Sequence, residues 1–280
     1  MSKLSIKLYL VLAIATLLSA CANTTRPGAV GVNRSQFMMV SSAEVERLSA
    51  VSYNQQNQKA KKNVLVTSGP TYDRLKVIAN RLIPQTQEFR DDTRQWDWRL
   101  TLIDAPTLNA SCAPGGKITF YTGIIEQLNL NDDEIAAIMG HEIAHALREH
   151  GRERVSQAMA QNLAVNVAMA AAGGYGSAVS AANQVAHYVF VLPNSRENES
   201  EADAIGLELA ARAGYNPNGA ITVWQKMIKA TKEKSSPEFL STHPSGETRI
   251  EQLSALIPAV EPLYKAAPKP ATNKKLSGLP

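Results

Sequence analysis

Residues 131–151 constrain this fold more than any other segment, because they join a strong helix start to a metal-binding spacing. Asn131 can cap a helix, Glu134 stands at the capping-box position, and the first turn is acidic. The helix then reads His141-Glu142-Ile143-Ala144-His145 and is predicted to end at Gly151. Residues four apart lie on one helix face, about 5–6 Å from each other. Two imidazoles at this spacing can therefore reach one zinc ion.

Glu142 follows the first of these histidines and is a candidate general base. Zinc makes a water more acidic, and a neighbouring carboxylate can take its proton as the water attacks a carbonyl. The alternative is a polar helix surface that carries two unrelated histidines. The apolar face of Ile135, Ala137 and Ile138, and a total of only five histidines, favour the metal site.

A catalytic zinc site needs a third protein ligand and an open fourth position, and residues 197–206 offer candidates. Glu199 and Asp203 are four apart and share a helix face. Glu199 can bind the metal while Asp203 accepts a hydrogen bond from the outer nitrogen of a zinc-bound histidine. Glu197 and Glu201 compete for the ligand role on spacing alone. Without the upstream motif, the acids would be interpreted as a solvated face.

Taken together, these motifs resemble the CAAX-prenyl-protease-like family of zinc metallopeptidases, which are gluzincins, and their soluble bacterial periplasmic branch in particular. The resemblance covers roughly residues 65–257. Further matching segments are Pro114-Gly115-Gly116 with Tyr121-Thr122-Gly123, Ala213-Gly214-Tyr215-Asn216-Pro217, and His243-Pro244 with Arg249. It implies an α+β, predominantly helical gluzincin-type domain with a small sheet beside the His-Glu-x-x-His helix. The edge strand of that sheet is expected to hold the substrate backbone.

The resemblance also implies roles for single residues. It selects Glu199 as the third zinc ligand and Asp203 as the hydrogen-bond partner of a ligand. Arg249 is expected to stabilise the oxyanion of the tetrahedral intermediate, a surface salt bridge to Glu247 or Glu251 being the alternative.

His243 has three interpretations: a reversible fourth zinc ligand that blocks the water, a substrate contact, or a turn residue before Pro244. The other histidines, His150 and His187, are expected to be structural.

Periodicity outlines the rest of the domain. Helices are predicted from Ser41–Ser42 and from Thr71 to Pro84, and strands over 96–102 and 118–122. Residues 157–194 carry no charged side chain, which could indicate a transmembrane hairpin. Polar residues and a Gly-rich stretch interrupt the apolar runs, so two buried helices joined by a loop are favoured.

The first residues resemble an export signal. Lys3 and Lys7 precede an apolar stretch, and Leu18-Ser19-Ala20-Cys21 resembles a bacterial lipobox. Lipidation of Cys21 is therefore predicted, with an ordinary secretory signal as the alternative. Because Ala22 replaces the aspartate typical of inner-membrane retention, the periplasmic side of the outer membrane is the expected location. A lipid anchor makes a membrane span unnecessary.

The expected organisation is a signal peptide (1–20), a lipidated tether with an N-terminal helix (21–64), the protease domain (65–260) and a disordered basic tail (261–280). Removing residues 1–20, which hold two of the 29 basic residues and no acidic one, leaves 27 basic against 25 acidic residues. This balance does not indicate a nucleic-acid partner. Cys112 then has no disulfide partner and is expected to pack as a small apolar residue.

The favoured function is a Zn²⁺-dependent endopeptidase, with one zinc per chain, that cleaves misfolded or misassembled envelope proteins. A zinc-containing chaperone-like or binding lipoprotein is the alternative from a different class. An integral-membrane prenyl-protein protease would need membrane spans that the sequence does not show.

Overall fold

The structure, a computed structural model, describes residues 21–59, 64–171, 187–189, 191–232, 238–243 and 247–270. The strands are β1 (Cys21–Ala22), β2 (Gln36–Phe37), β3 (Leu65–Val66), β4 (Arg99–Ile103), β5 (Ala110–Ala113) and β6 (Lys117–Tyr121). The helices are α1 (Ser42–Lys59), α2 (Pro70–Leu82), α3 (Thr122–Gln127), α4 (Asp132–Leu147), α5 (His150–Ala171), α6 (Arg196–Arg212), α7 (Asn218–Lys232), α8 (Glu238–Thr242) and α9 (Glu247–Ala266). The 3₁₀ turns Ile83–Glu88 and Asp91–Gln95 follow α2.

Helix α4 lies at the centre of the domain and is buried from Glu134 to Leu147. Helices α2, α6 and α7 and strand β5 pack around it. Its start is the predicted one: Asn131 accepts from the backbone N–H of Glu134, and the Glu134 carboxylate accepts from the backbone N–H of Asn131. The capping box supplies partners for backbone donors that would otherwise be buried without them.

A four-stranded sheet lies beside α4 in the order β3-β4-β6-β5. Strands β4 and β6 are parallel, whereas β3 and β5 pair antiparallel with their neighbours. The turn from β5 to β6 contains Gly115 and Gly116 at φ +77° and +83°, values that glycine adopts without steric cost. The predicted α+β, mainly helical architecture is confirmed. Periodicity did not indicate strand β5, because Ala110-Ser111-Cys112-Ala113 lacks the alternation of a half-buried strand, although the resemblance implied an edge strand in this sheet.

Helices α4 and α6 cross at a pair of glycines. A Cβ on Gly206 would lie 2.6 Å from the backbone nitrogen of His141, and a Cβ on Gly140 would lie 2.7 Å from the carbonyl oxygen of Gly206. The two backbones can approach this closely only because neither residue has a side chain. The crossing places the histidine face of α4 against the acidic face of α6.

Helix α4 ends earlier than predicted. It stops at Leu147, and Gly151 lies inside the next helix. Between the two helices Glu149 adopts a left-handed conformation with φ +52°. This turns the chain at a residue that offers no glycine signal, which is why the predicted end is wrong.

Residues 21–40, here called the N-terminal strap, differ from the expected tether. The backbone N–H of Ala29 donates to Glu208 at 2.8 Å, Arg34 donates to Glu153 at 2.6 Å, and Gln36 donates to the carbonyl of Arg148 at 2.7 Å. The strap is polar because its groups pair with buried charges of the helices, and composition alone cannot distinguish such pairing from solvation. The helix predicted to follow it is α1, which begins at Ser42.

The uncharged region 157–194 is only partly described, and its Gly-rich stretch lies outside the described residues. Helix α5 continues through residue 171, and its residues 157–162 are exposed or half-buried, with Met159 43% exposed. The prediction of burial is therefore wrong for this part of α5. Among the described residues, no helix combines the length and apolarity that a membrane crossing requires.

Helix α9 crosses the predicted boundary between domain and tail at residue 261. Pro258 and Pro262 lie inside the helix on exposed positions, so the carbonyls that lose an N–H partner can bond to water. Val260, between them, is fully buried, and Leu263 and Tyr264 pack against the core. Burial of these side chains outweighs the helix-breaking signal of the prolines. Residues 271–280 of the expected tail lie outside the described residues.

The glycine crossing generates a stability prediction. Gly206→Ala should lower the free energy of unfolding by about 1–3 kcal/mol or more, because the added methyl meets backbone that cannot move aside. Urea denaturation measures the change. Gly151→Ala is the matched control, since the three atoms nearest to its methyl would all belong to the Val189 side chain, the first at 3.1 Å, and a side chain can move aside. An equal effect of the two substitutions would contradict the role assigned to the crossing.

Candidate metal centre

Four potential metal ligands meet in the interior: His141, His145, Glu199 and His243. One donor atom from each lies within 4.8 Å of all the others. The Nε2 atoms of His141 and His145 are 3.0 Å apart, and Glu199 Oε1 lies 3.4 Å from His145 Nε2. His243 Nδ1 lies 2.9 Å from the same Glu199 oxygen. The donors converge on one point from α4, α6 and the end of α8.

This donor set fits zinc. In a tetrahedral site with ligands at about 2.0–2.1 Å, the ligand atoms lie roughly 3.3–3.4 Å from one another, close to the observed spacing. Imidazole nitrogen and carboxylate oxygen are donors that zinc accepts. Nearby, Glu142 Oε1 is buried and has no hydrogen-bond partner among the described residues. This carboxylate oxygen can therefore accept a hydrogen bond from a water that enters the site.

Asp203 holds the ring of His141 from behind. Its Oδ1 lies 3.0 Å from His141 Nδ1, so the opposite nitrogen, Nε2, points at the cluster. Glu199 and Asp203 reach the two sides of this histidine because they lie one turn apart on α6. The arrangement is the one expected from the four-residue spacing.

Arg249 lies in the interior, where it pairs with both acids. Its Nε and Nη2 donate to Asp203 at 2.7 Å each, and its Nη1 lies 2.6 Å from Glu199 Oε2. The guanidinium also stacks 3.8 Å from the ring centre of Trp224. The burial of Arg249 and its contacts to two carboxylates of the site differ from the surface salt bridge that was the alternative, and the oxyanion role stays a prediction.

The charges of the cluster shift each other's protonation. Burial raises the pKa of a carboxyl group, yet His243, His141 and His145 hold the pKa of Glu199 well below its usual value. Burial likewise works against a charged His141, but its hydrogen bonds to Asp203 and Glu199 raise its pKa to about 9. Burial lowers the pKa of His145 well below the usual value. A metal would have to displace the proton of His141, so metal affinity should fall as pH decreases.

Glu142 borders an open cleft of about 200 Å³ next to the cluster. Residues 109–112, at the start of β5, line one side of this cleft, and His145 and His243 line another. Burial raises the pKa of Glu142, and the nearby His243 and His141 oppose the shift. A raised pKa makes a carboxylate a stronger base, which suits a general base. Cys112 also lines the cleft, but burial raises its thiol pKa, in agreement with the expected packing role.

His243 is held in place by an aromatic stack. Its ring lies 4.3 Å from that of Phe239, at an angle of 22°, and Asn194 approaches the same face of the cluster. His243 Nε2 lies 3.4 Å from Glu142 Oε1. The residue thus touches both the donor cluster and the base, while Pro244 lies outside the described residues.

The other two acids considered for the third ligand, Glu197 and Glu201, lie outside the cluster. Glu197 is exposed in the first turn of α6. Glu201 contacts His150, Arg148 and Arg34, and these partners overcome the effect of burial and lower its pKa to about 2. Glu201 is two residues from Glu199, so it necessarily faces another side of the helix. This geometric argument was available from the sequence.

Sequence reasoning missed the environment of His150. Its Nδ1 lies 2.7 Å from Nδ1 of His145, and burial lowers its pKa to about 4. His150 is five residues after His145, a spacing that does not share a face on a continuous helix. The turn at Glu149 brings the two rings together, and no local sequence pattern predicts this turn.

Comparisons with known proteins agree with this site. Residues 71–257 match the sequence profile of peptidase family M48. The mitochondrial metalloendopeptidase OMA1 of Saccharomyces cerevisiae is 34% identical over 176 residues, which cover 60% of this chain and 49% of that protein. The metalloprotease LoiP of Escherichia coli is 27% identical over 251 residues, covering 88% and 94%. The β-barrel assembly-enhancing protease of Escherichia coli is 27% identical over 162 residues, covering 53% and 32%.

The coverage differs among these relatives. The chain spans 49% of the length of the Saccharomyces cerevisiae relative and 45% of its Bos taurus counterpart, whereas it spans 94% of LoiP. The matched region contains α4, α6 and α8 with the following His243, and so every potential ligand of the cluster.

Proposed function

Because the chain belongs to peptidase family M48, whose members use zinc, we propose that it is a zinc-dependent endopeptidase. The observation that carries the proposal is the buried cluster of His141, His145 and Glu199 beside Glu142, at the wall of an open cleft. Within the family, we place it in the soluble CAAX-prenyl-protease-like lipoprotein branch. Two Escherichia coli relatives, the metalloprotease LoiP and the β-barrel assembly-enhancing protease, support that placement.

Each site residue then has a task. His141, His145 and Glu199 hold one zinc ion, and Asp203 fixes the ring of His141. When bound, zinc polarises the scissile carbonyl and makes the attacking water more acidic. Glu142 takes the proton of that water and delivers it to the leaving amine. Arg249 keeps Glu199 and Asp203 ionised and oriented, and so acts as a positioning residue.

The substrate is a polypeptide that can lie along the cleft in an extended conformation. Strand β5 is the outer strand of the sheet beside the cleft, so its free backbone groups can pair with a peptide. Misfolded or misassembled envelope proteins expose such segments. The name of the β-barrel assembly-enhancing protease supports this substrate class.

A zinc-containing chaperone-like or binding lipoprotein with little proteolytic activity is the second possibility. A structural zinc site is closed by four protein ligands, and His243 supplies a fourth donor here. However, such a site does not need the unligated carboxylate of Glu142, which argues for catalysis.

The proposed location is the periplasmic side of the outer membrane, with an acylated Cys21 as the sole anchor. Cys21 is the first residue of β1 and pairs with Phe37, so an anchor there would start directly at the folded strap. Mass spectrometry of the mature protein tests this location. An acylated N-terminal Cys21, absent in Cys21→Ser, is expected. A mature chain that begins elsewhere or carries no acyl group would refute it.

Degradation of casein tests the activity. Zinc-loaded wild type should cleave it, and Glu142→Gln should be about 10²–10⁴-fold slower while it binds zinc equally, because only the base is lost. Glu197→Gln, which changes an exposed acid of α6, is the matched control and should retain activity. Zinc binding without cleavage by the wild type would favour the binding lipoprotein.

His243 is proposed to act as a reversible fourth ligand that closes the site. Its Nδ1 occupies the donor cluster, so His243→Ala should raise casein cleavage severalfold at unchanged zinc content. The exposed His187→Ala is the control and should have no effect. A fall in cleavage with a higher KM would show instead that His243 contacts substrate.

A further inference from the structure

The outer nitrogen of His145 has its own partner, in addition to the proposed ligands. His145 Nδ1 lies 2.7 Å from His150 Nδ1, and His150 Nε2 lies 3.0 Å from Glu201 Oε2. His150 is fully buried, so water cannot replace either contact. His145, His150 and Glu201 thus form a continuous line of hydrogen-bond contacts, which leads from the cluster to another side of α6.

The protons in this line can be placed from its two ends. The Glu201 carboxylate accepts hydrogen bonds, so His150 Nε2 carries a proton and, in a neutral ring, His150 Nδ1 is an acceptor. At the other end, His145 Nε2 faces the cluster and must be unprotonated to bind a metal. A neutral His145 then carries its proton on Nδ1. Both ends therefore require His145 Nδ1–H to donate to His150 Nδ1.

Several groups keep the line rigid. Arg148 is fully buried and contacts both oxygens of Glu201 at 3.1 Å, and Arg34 of the N-terminal strap contacts the same carboxylate at 2.8 Å. Glu149 brings His150 next to His145 by adopting φ +52°, a left-handed conformation that is unfavourable for a residue other than glycine. Strain of this kind persists where the surrounding contacts require it.

We propose that His150 and Glu201 are positioning residues of the metal centre, which hold His145 in the ring orientation and tautomer that zinc binding requires. The inference rests on the proposed zinc site and deepens it. Asp203 and Arg249 support His141 in a comparable way, so each histidine of the His-Glu-x-x-His motif has a carboxylate behind it: directly for His141, and through His150 for His145.

The test is the zinc affinity of the full chain, measured by competition with a chromophoric chelator. His150→Phe keeps a ring but removes the acceptor, and should weaken zinc binding about 10–100-fold. His150→Asn places Oδ1 near the former Nδ1 and should recover part of that loss. Glu201→Gln should also weaken binding, because the amide holds His150 less firmly than the carboxylate.

Glu208→Gln is the matched control. Glu208 is another buried acid of α6, but the groups that donate hydrogen bonds to it belong to Ala29 and Val30 of the strap and to Arg212. Thermal unfolding of each zinc-free variant separates loss of folding from loss of zinc. If His150→Phe fails to fold, the comparison of Glu201→Gln with Glu208→Gln decides.

The outcomes separate this inference from the proposed function. Wild-type zinc affinity retained in His150→Phe and Glu201→Gln would overturn the inference alone. Equal losses in His150→Phe and His150→Asn, or in Glu201→Gln and Glu208→Gln, would also overturn it by indicating a general packing effect. Failure of the wild type to bind zinc would refute the proposed function itself.

Discussion

Burial of charge is the constraint on which the arrangement of this domain depends. Glu142, Glu199 and Asp203 are all buried in the interior. Burying an isolated carboxylate costs several kcal/mol of desolvation free energy. Arg249 and the histidines reduce this cost by pairing with two of the acids. Glu142 is paired least closely: its Oε1 lies 3.4 Å from His243 Nε2 and accepts no hydrogen bond from the described residues. This acid is also the one that borders the cleft, where a reacting water would need a base.

The pairing depends on the close crossing of α4 and α6. Gly140 and Gly206 let the backbones approach, and this brings His141 within hydrogen-bond distance of Asp203. The two helices divide the work, since α4 supplies the histidines and the base while α6 supplies the acids that hold or orient them. A wider crossing would leave the histidines of α4 and the acids of α6 buried without partners. The chemistry of the site therefore depends on how closely these two core helices pack.

Much of the site could be predicted because its key spacings are local. His141 and His145 lie one helical turn apart, as do Glu199 and Asp203, and a capping box marked the start of α4.

The partners of these residues could not be predicted, because they come from distant parts of the chain. Arg34 reaches Glu201 across 167 positions, and Arg249 reaches Asp203 across 46. No periodicity encodes such contacts, and in the strap the polar composition indicated solvation where the structure has pairing. Prediction from local sequence fails in the same way for helix α9, where burial of Val260 outweighs the helix-breaking tendency of two prolines.

The central claim is that one zinc ion binds to two or three imidazoles and a carboxylate between α4 and α6. X-ray absorption at the zinc edge of the purified protein, together with its metal content, tests this most directly. One zinc per chain is predicted, with nitrogen and oxygen ligands at about 2.0–2.1 Å and the outer scattering of imidazole rings. A sulfur ligand at about 2.3 Å, which would indicate that a cysteine binds the metal, or a wild-type protein that binds no zinc, would contradict the account.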